Sequence, residues 1–159
     1  MYLVDRVIPM LPEVLSNELC SLRPNEDKLT YSCVFELDEK AQVQNHWIGR
    51  TVTHSDRRYT YEEVQEVIEG KSGEHEKAIH ILNNLATQLR NKRTKKGSIS
   101  FSSQEMRFQL DEEKKPVSVL FKVQKDAHKL IEDFMLLANR TVAASVGKVG
   151  KGQNPKTFV

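Results

Sequence analysis

The 159-residue sequence predicts an α+β fold in which short antiparallel strands are combined with three to four helices. Two stretches, 29–37 and 43–53, are rich in β-forming residues and flank a polar turn, which is typical of an antiparallel hairpin. Apolar residues recur at helical spacing in later stretches, of which the longest runs from about 126 to 146. Strands and helices do not alternate in a βαβ order, so a parallel sheet is not expected.

The first 28 residues are predicted to be mostly irregular. Residues 2–7 are predicted to be an extended start. Pro9 and Pro12 follow, and because each lacks a backbone donor and has a fixed φ, regular helix or central strand is excluded between them. A short helix is expected around 13–19 and a polar turn over 21–28, directly before the hairpin.

The middle of the sequence carries strong helix signals. Thr60 precedes a helix start, and Glu63 lies three residues later, which is the spacing of a capping box. This helix should end at Gly70. A second helix is predicted over 74–90, with a basic extension that ends at Gly97.

The last part of the sequence returns to strands and then to the longest helix. Three short strands are predicted at 98–101, 106–110 and 117–123. The final helix begins at Asp126, which is a capping residue, and Gly147 ends it.

The final helix has a wide apolar arc on a helical projection, bordered by His128, Glu132 and Asn139. Glu132 would need a partner at this border, whereas Asp133 is predicted to be solvated. Leu136 lies outside the arc, which suggests that further chain covers that side. The members of the arc are Leu130, Ile131, Phe134, Met135, Leu137, Ala138 and Val142.

The composition indicates a soluble globular protein, with 38% hydrophobic and 29% charged residues and a net charge of +2. This charge permits a polyanionic partner without requiring one. Cys20 and Cys33 form no C-x-x-C pair, so a zinc knuckle or a disulfide framework is not indicated. The sequence contains neither a signal peptide nor a membrane span, so a cytoplasmic location without a membrane partner is predicted. Residues 147–159 read as a flexible tail or a continuation of the domain formed by 1–146.

Two clusters could carry chemistry. His75 and His80 are five residues apart rather than four, so they do not share a helix face as zinc-protease ligands do. A metal hydrolase that uses both histidines and Glu132 remains an open hypothesis.

The stretch 90–96 carries five positive charges in seven residues, which suits either phosphate contacts or a solvated helix end. Both interpretations stay open.

Four segments closely resemble the catalytic RNB domain of ribonuclease R and ribonuclease II: YLVDRVIPMLP at 2–12, LSNELCSLRPNED at 15–27, SISF at 98–101 and DAHKLIEDFMLLAN at 126–139. The resemblance spans nearly the whole chain and identifies 1–146 as the central part of such a domain. It implies a processive 3′→5′ exoribonuclease that releases nucleoside 5′-monophosphates and uses Mg²⁺ held by an aspartate cluster.

In this family the aspartate cluster precedes the part of the domain that the sequence resembles. The resemblance therefore implies that the sequence starts partway through a larger domain, with no catalytic and no metal-ligating residue of its own. The segment by itself is expected to be inactive as a nuclease, and exposed apolar faces could drive it to dimerise. The alternative is a non-catalytic RNA-binding or regulatory fragment.

RNA-binding roles are implied for four residues at matching positions. Tyr2 resembles the tyrosine beside the last nucleotides at the 3′ end. Tyr61 resembles the tyrosine that limits the length of the final product, with Tyr59 as the alternative register. Phe101 resembles the aromatic residue at the other end of the base stack. Glu132 resembles the acid that helps to seat the terminal nucleotides.

Overall fold

The structure is a computed structural model that describes residues 6–98, 105–111 and 115–147, with only the backbone described at 105–107 and 120–122. The predicted extended start at 2–7 and the predicted strand at 98–101 lie largely outside these residues. The remaining elements confirm an α+β fold with antiparallel strand pairs and helices.

The chain divides into two compact units. The first contains Met1–Leu29, Val52–Arg58 and Ser100–Gln124. The second contains Thr30–Thr51, Tyr59–Ile99 and Lys125–Val159.

The first unit contains the proline segment and a strand pair. Pro12 is followed by a single π-helical turn, Val14–Leu19, in which the Cys20 N–H donates to the Leu15 carbonyl oxygen at 2.9 Å. The short helix predicted around 13–19 is therefore present, in a wider form than an α-helix. Strands β3 (Glu105–Leu110) and β4 (Pro116–Lys122) pair antiparallel, which confirms two of the three predicted short strands.

The predicted hairpin is confirmed as β1 (Asp27–Leu37) paired with β2 (Val43–His54). At its turn the Asp38 N–H donates to the Gln42 carbonyl oxygen at 3.1 Å, and Ala41 adopts a left-handed φ of 52°. The Asp38 carboxylate also accepts a hydrogen bond from the Gln42 N–H at 2.7 Å. This side chain closes the turn in the way that aspartates commonly do.

Three helices form the second unit together with most of the hairpin: α1 (Tyr61–Ile68), α2 (Glu76–Lys95) and α3 (Asp126–Gly147). The predicted capping box is present, because the Thr60 hydroxyl accepts from the Glu63 N–H at 3.2 Å and the Thr60 N–H donates to the Glu63 carboxylate at 2.7 Å. Gly70 and Gly97 have φ values of 101° and 90°, which let the chain leave α1 and α2 in the left-handed conformation.

α3 packs against both α1 and α2, and small and branched residues fill the space between the helices. The buried apolar residues there are Val67, Ile79, Ala86, Ala127 and Leu130. The predicted apolar arc does not coincide with this buried face, since Ile131, Met135 and Val142 are exposed. Within the described residues, the helices lack the combined length and hydropathy that crossing a membrane requires.

Candidate nucleic-acid interface

The four predicted RNA-binding residues are only partly covered by the structure. Tyr2 and Phe101 lie outside the described residues. Tyr61 begins α1 and Glu132 lies on α3, both within the second unit. The candidate interface is therefore described from these two residues and their neighbours.

Tyr61 stacks on a histidine of α3. The phenol ring of Tyr61 and the imidazole ring of His128 lie with their centroids 4.1 Å apart and their planes inclined by 11°. Tyr61 nevertheless keeps 44% of its surface exposed. Because stacking covers only one face of a ring, Tyr61 retains aromatic surface for a further planar group.

A buried hydrogen bond fixes α1 to the start of α3 beside this stack. The Gln65 side-chain carbonyl accepts from the Ala127 N–H at 3.1 Å. Gln65 follows Tyr61 by four residues, so both project from one face of α1. They meet Ala127 and His128, which are adjacent at the start of α3. The hydrogen bond also satisfies one of the N–H groups that a helix start leaves without an intrahelical partner.

Glu132 lies one helical turn beyond His128 on the same face of α3. Its side chain is 48% exposed, and a cation, the Arg93 guanidinium, lies 3.9 Å from a carboxylate oxygen. A carboxylate in this position is open to hydrogen-bond donors from a ligand, such as hydroxyl groups. Tyr61 therefore stacks on the α3 residue that lies one helical turn before Glu132.

Asp133, the next residue, has the opposite environment. Its side chain is 1% exposed and one carboxylate oxygen accepts from Arg90 at 2.9 Å. The other oxygen accepts from Arg93 at 2.8 Å. The expectation that Asp133 is solvated is wrong, because its partners come from α2 and are far away in sequence. We call Arg90, Arg93 and Asp133 the arginine cluster.

Residues of the basic stretch 90–96 mostly serve the fold. Arg90 and Arg93 belong to the arginine cluster. The Lys92 ammonium donates to the backbone carbonyl oxygens of Lys40 and Ala41, at 3.0 Å for the latter, and so holds the hairpin turn against α2. Lys95 and Lys96 are exposed, and neither forms an ion pair within the part of the chain that the structure describes. They are the members of the stretch best placed for phosphate contacts.

Tyr59, the alternative to Tyr61, is held by other contacts. Its hydroxyl donates to the Glu74 carbonyl oxygen at 3.1 Å, and its ring meets the His75 ring edge-on, with centroids 6.4 Å apart and planes inclined by 73°. Both tyrosines line a cleft of about 530 Å³ between the three helices, which Val64, Leu82 and Leu130 also line. Tyr61 is the tyrosine that stacks on His128, one helical turn before Glu132, so the geometry favours Tyr61 over Tyr59.

A metal site is not formed by the described residues. No group of three or more histidine, cysteine, aspartate or glutamate side chains among them is arranged to hold an ion. His75 instead lies 3.6 Å from Glu74, and His80 lies 4.0 Å from Glu76. The hypothesis of a metal hydrolase built on His75, His80 and Glu132 is therefore not supported. The same donor set does not fit a Mg²⁺ site, which needs converging oxygen ligands.

Sequence reasoning placed His128 at the border of the apolar arc but gave it no role. Two signals could have found it. Tyr61 and Gln65 are four residues apart on α1, and His128 and Glu132 are four residues apart on α3. Each pair marks a single helix face, but only the structure shows that the two faces meet.

The chain is similar to known exonucleases and ribonucleases. Residues 1–152 match the family model described as the RNB domain. The chain is 41% identical to DIS3-like exonuclease 2 of Schizosaccharomyces pombe, over 92% of this chain and 18% of that protein. It is 36% identical to ribonuclease R 2 of Lactococcus lactis, over 92% of this chain and 24% of that protein.

A solved structure has the same fold. The apo form of Mycoplasma genitalium RNase R aligns with a TM-score of 0.82 and 29% sequence identity, over 89% of this chain and 23% of that one. RNase R of the same organism was also solved in complex with ribose methylated single-stranded RNA. The chain spans roughly a fifth to a quarter of these relatives. It belongs to the RNB domain family.

Proposed function

We propose that this chain forms part of the catalytic domain of a processive, Mg²⁺-dependent 3′→5′ exoribonuclease of the cytoplasm. The enzyme would degrade single-stranded or structured RNA to nucleoside 5′-monophosphates, and this chain would line the RNA path. The match to the RNB domain over residues 1–152 supports the activity. The structures of Mycoplasma genitalium RNase R with single-stranded and with double-stranded RNA support RNA as the ligand.

The observation that carries the proposal is the stack of Tyr61 on His128, which lies one helical turn before Glu132 on α3. Tyr61 offers a partly exposed ring, and stacking of a base on such a ring contributes roughly 1–3 kcal/mol without regard to base identity. Glu132 offers an exposed acceptor for ribose hydroxyls, which are hydrogen-bond donors. A stacking ring and a carboxylate together suit the sugar and the base at the end of a single strand.

The hydrolytic step depends on groups outside the described residues. A pair of Mg²⁺ ions would supply an activated water and stabilise charge on the displaced phosphate. We propose that the carboxylates that hold them come from elsewhere in the domain; the described residues bring no group of three or more metal-binding side chains together. The role of Tyr61 and Glu132 is then to bind and orient the terminal nucleotides, and the 159-residue chain by itself has little or no nuclease activity.

The test compares this chain with the full-length product of its gene, using uniformly labelled single-stranded RNA and Mg²⁺, so that shortened strands and released mononucleotides are both detected. We expect stepwise shortening from the 3′ end by the full-length protein and no mononucleotide release by the chain alone. Tyr61→Ala and Glu132→Gln in the full-length protein should each raise KM or lengthen the final product. Mg²⁺-dependent release of mononucleotides by the chain alone would contradict this division of roles.

The alternative function is a non-catalytic RNA-binding or regulatory fragment, which the exposed pair Lys95 and Lys96 beside the arginine cluster favours. It requires that the chain alone binds RNA. If only these two lysines contact phosphates, the logarithm of the affinity should fall with the logarithm of salt concentration with a slope of about 1.4, compared with about 3.5 for all five cations of 90–96.

The alternative is tested by fluorescence anisotropy with a labelled oligoribonucleotide at several salt concentrations. The double variant Lys95→Gln and Lys96→Gln should flatten the slope. A variant of equal charge, with Lys71→Gln and Lys77→Gln away from this helix end, should retain it. Absence of binding at low salt would exclude the alternative and leave the enzyme proposal in place.

A further inference from the structure

We infer that His128 is a positioning residue for Tyr61, which it holds by ring stacking so that Tyr61 meets the terminal nucleotide at a fixed distance from Glu132. This inference rests on the proposed RNA-binding role of Tyr61. It adds a residue that acts through Tyr61 rather than on RNA itself. The observation behind it is the near-parallel stack, with ring centroids 4.1 Å apart.

Tyr61 requires such support because of its position. It is the first residue of α1, a helix of only 8 residues, and is 44% exposed. A side chain that is this exposed, on the first turn of a short helix, keeps rotamer freedom unless a packed neighbour restricts it. A flat ring packed against one face of the phenol restricts both side-chain torsions. A base that stacks on Tyr61 then meets a ring whose orientation is already set, which lowers the ordering cost of binding.

His128 lies where α1 and α3 are joined, so it can hold the Tyr61 ring in one orientation. Its neighbour Ala127 is buried and donates its N–H to Gln65 of α1 at 3.1 Å. The junction of α1 and α3 is thus held by two consecutive contacts, one to Gln65 and one to Tyr61. His128 also lies one turn before Glu132 on the same helix face. His128, which orients Tyr61, therefore also sets the position of Tyr61 relative to the Glu132 carboxylate.

A second tyrosine–histidine pair provides a matched control. Tyr59 meets His75 edge-on at 6.4 Å rather than face to face. His75 precedes α2 with a left-handed φ of 57°, a conformation that asparagine tolerates. His75→Asn therefore removes a histidine ring that lies near a tyrosine but does not stack on it. His128→Phe keeps a flat ring at the stack, and His128→Ala removes it.

The experiment has two measurements. NMR of the chain reports the ring protons of Tyr61, which a stacked neighbour shifts upfield. Degradation of single-stranded RNA by the full-length protein reports KM, kcat and the length of the final product. We expect His128→Ala to remove the upfield shift and to raise KM by about 2- to 10-fold, the range that one aromatic contact spans. His128→Phe and His75→Asn should stay within about 2-fold of the unchanged protein.

The outcomes separate this inference from the proposed function. If Tyr61→Ala raises KM and His128→Ala does not, the positioning role is wrong and the RNA-binding role of Tyr61 stands. If Tyr61→Ala changes neither KM nor product length, the proposed function of Tyr61 fails, and the positioning role fails with it. If His128→Ala unfolds the protein, His128→Phe decides: a phenylalanine variant that folds but has a raised KM contradicts positioning by a flat ring.

Discussion

Two adjacent positions of α3 use their carboxylates in different ways. On the side that faces α2, Asp133 is 1% exposed and is held by two guanidinium groups at 2.8–2.9 Å. Glu132, one helical turn after His128, is 48% exposed, and Arg93 of α2 lies at a looser 3.9 Å from it. The two residues are adjacent in the sequence and have the same charge. Burial therefore separates a carboxylate that stabilises the fold from one that is available to a ligand.

The physical reason is the cost of burying a charge. A carboxylate removed from water must be paired and hydrogen-bonded, so Asp133 is already occupied by Arg90 and Arg93. Glu132 avoids most of this cost and keeps its capacity to accept hydrogen bonds from an incoming group. The same distinction applies to the cations, because the arginines of the cluster are committed to Asp133 whereas Lys95 and Lys96 are exposed.

Loss of Asp133 should have the largest effect on stability. Asp133→Ala leaves Arg90 and Arg93 without their carboxylate at sites where their side chains are only 26% and 25% exposed. We expect a loss of about 3 kcal/mol, the lower end of the range for breaking a buried pair, because solvent screens part of both charges. Urea unfolding measures this loss. Glu132→Ala is the control and should change stability by less than about 0.5 kcal/mol; equal losses in the two variants would contradict the comparison.

Loss of Gln65 should have the next largest effect. Gln65→Ala removes the acceptor for the Ala127 N–H and leaves this buried donor without a partner. We expect a destabilisation of about 1–3 kcal/mol from the unsatisfied group. Gln88→Ala serves as the control, because the hydrogen bond of Gln88 to the Glu39 carbonyl oxygen is exposed. Thermal unfolding measures the decrease in Tm of each variant. A larger decrease for Gln88→Ala than for Gln65→Ala would be inconsistent with the proposed α1–α3 junction.

Loss of the helix cap before Tyr61 should have a smaller effect. Thr60→Ala removes the hydroxyl that accepts from the Glu63 N–H, which should cost about 1 kcal/mol. Because Tyr61 is the next residue, fraying of α1 should also reduce the upfield shift of its ring protons. Thr87→Ala, in the middle of α2, removes a threonine hydroxyl without removing a cap. Circular dichroism measures the helix content of the two variants, and NMR measures the chemical shifts of the Tyr61 ring protons. Equal changes in these shifts in both variants would contradict the link between the helix cap and Tyr61.

Local signals in the sequence predicted the elements that depend on neighbouring residues. Four predicted features are present: the hairpin, the capping box of Thr60 with Glu63, and the helix ends at Gly70 and Gly97. Each is determined mainly by residues that are close together in the sequence. The family was also predicted correctly from its motifs. The functional roles of Tyr61 and Glu132 remain predictions, as do those of Tyr2 and Phe101, which lie outside the described residues.

Contacts between distant residues could not be predicted from these signals. Asp133 is 43 residues from Arg90, and helical spacing alone gives no reason to join them. The apolar arc of α3 was predicted from periodicity, but periodicity does not reveal what covers an apolar residue. Met135 belongs to the arc and is nevertheless 58% exposed. The stack of Tyr61 on His128 could not be predicted for the same reason. It depends on how α1 packs against α3, which the sequence pattern does not show.

Asp38 provides the smallest and most specific test, because its side chain is half-buried, between Glu132 and Asp133, and its carboxylate is hydrogen-bonded like that of Asp133. The hydrogen bond from the Gln42 N–H holds the pKa of Asp38 below its ordinary value, with further help from the Lys40 N–H, the Gln44 amide and the charge of Lys92. Burial acts in the opposite direction but does not prevail. A lowered pKa in the folded state means that the ionised form stabilises the hairpin turn.

The direction of the pH dependence follows from this lowered pKa. The stabilisation should be complete above the pKa of the unfolded chain, near about pH 4, and should disappear as the pH falls through the lower pKa of the folded state. Asp38→Asn should therefore be less stable than the unchanged chain at pH 7, and the difference should shrink below about pH 4. Urea unfolding across this range measures it. The control is Glu36→Gln, at an exposed carboxylate on β1. If Glu36→Gln shows the same pH-dependent loss of unfolding free energy as Asp38→Asn, the hydrogen bonds of the turn are not the cause of that loss.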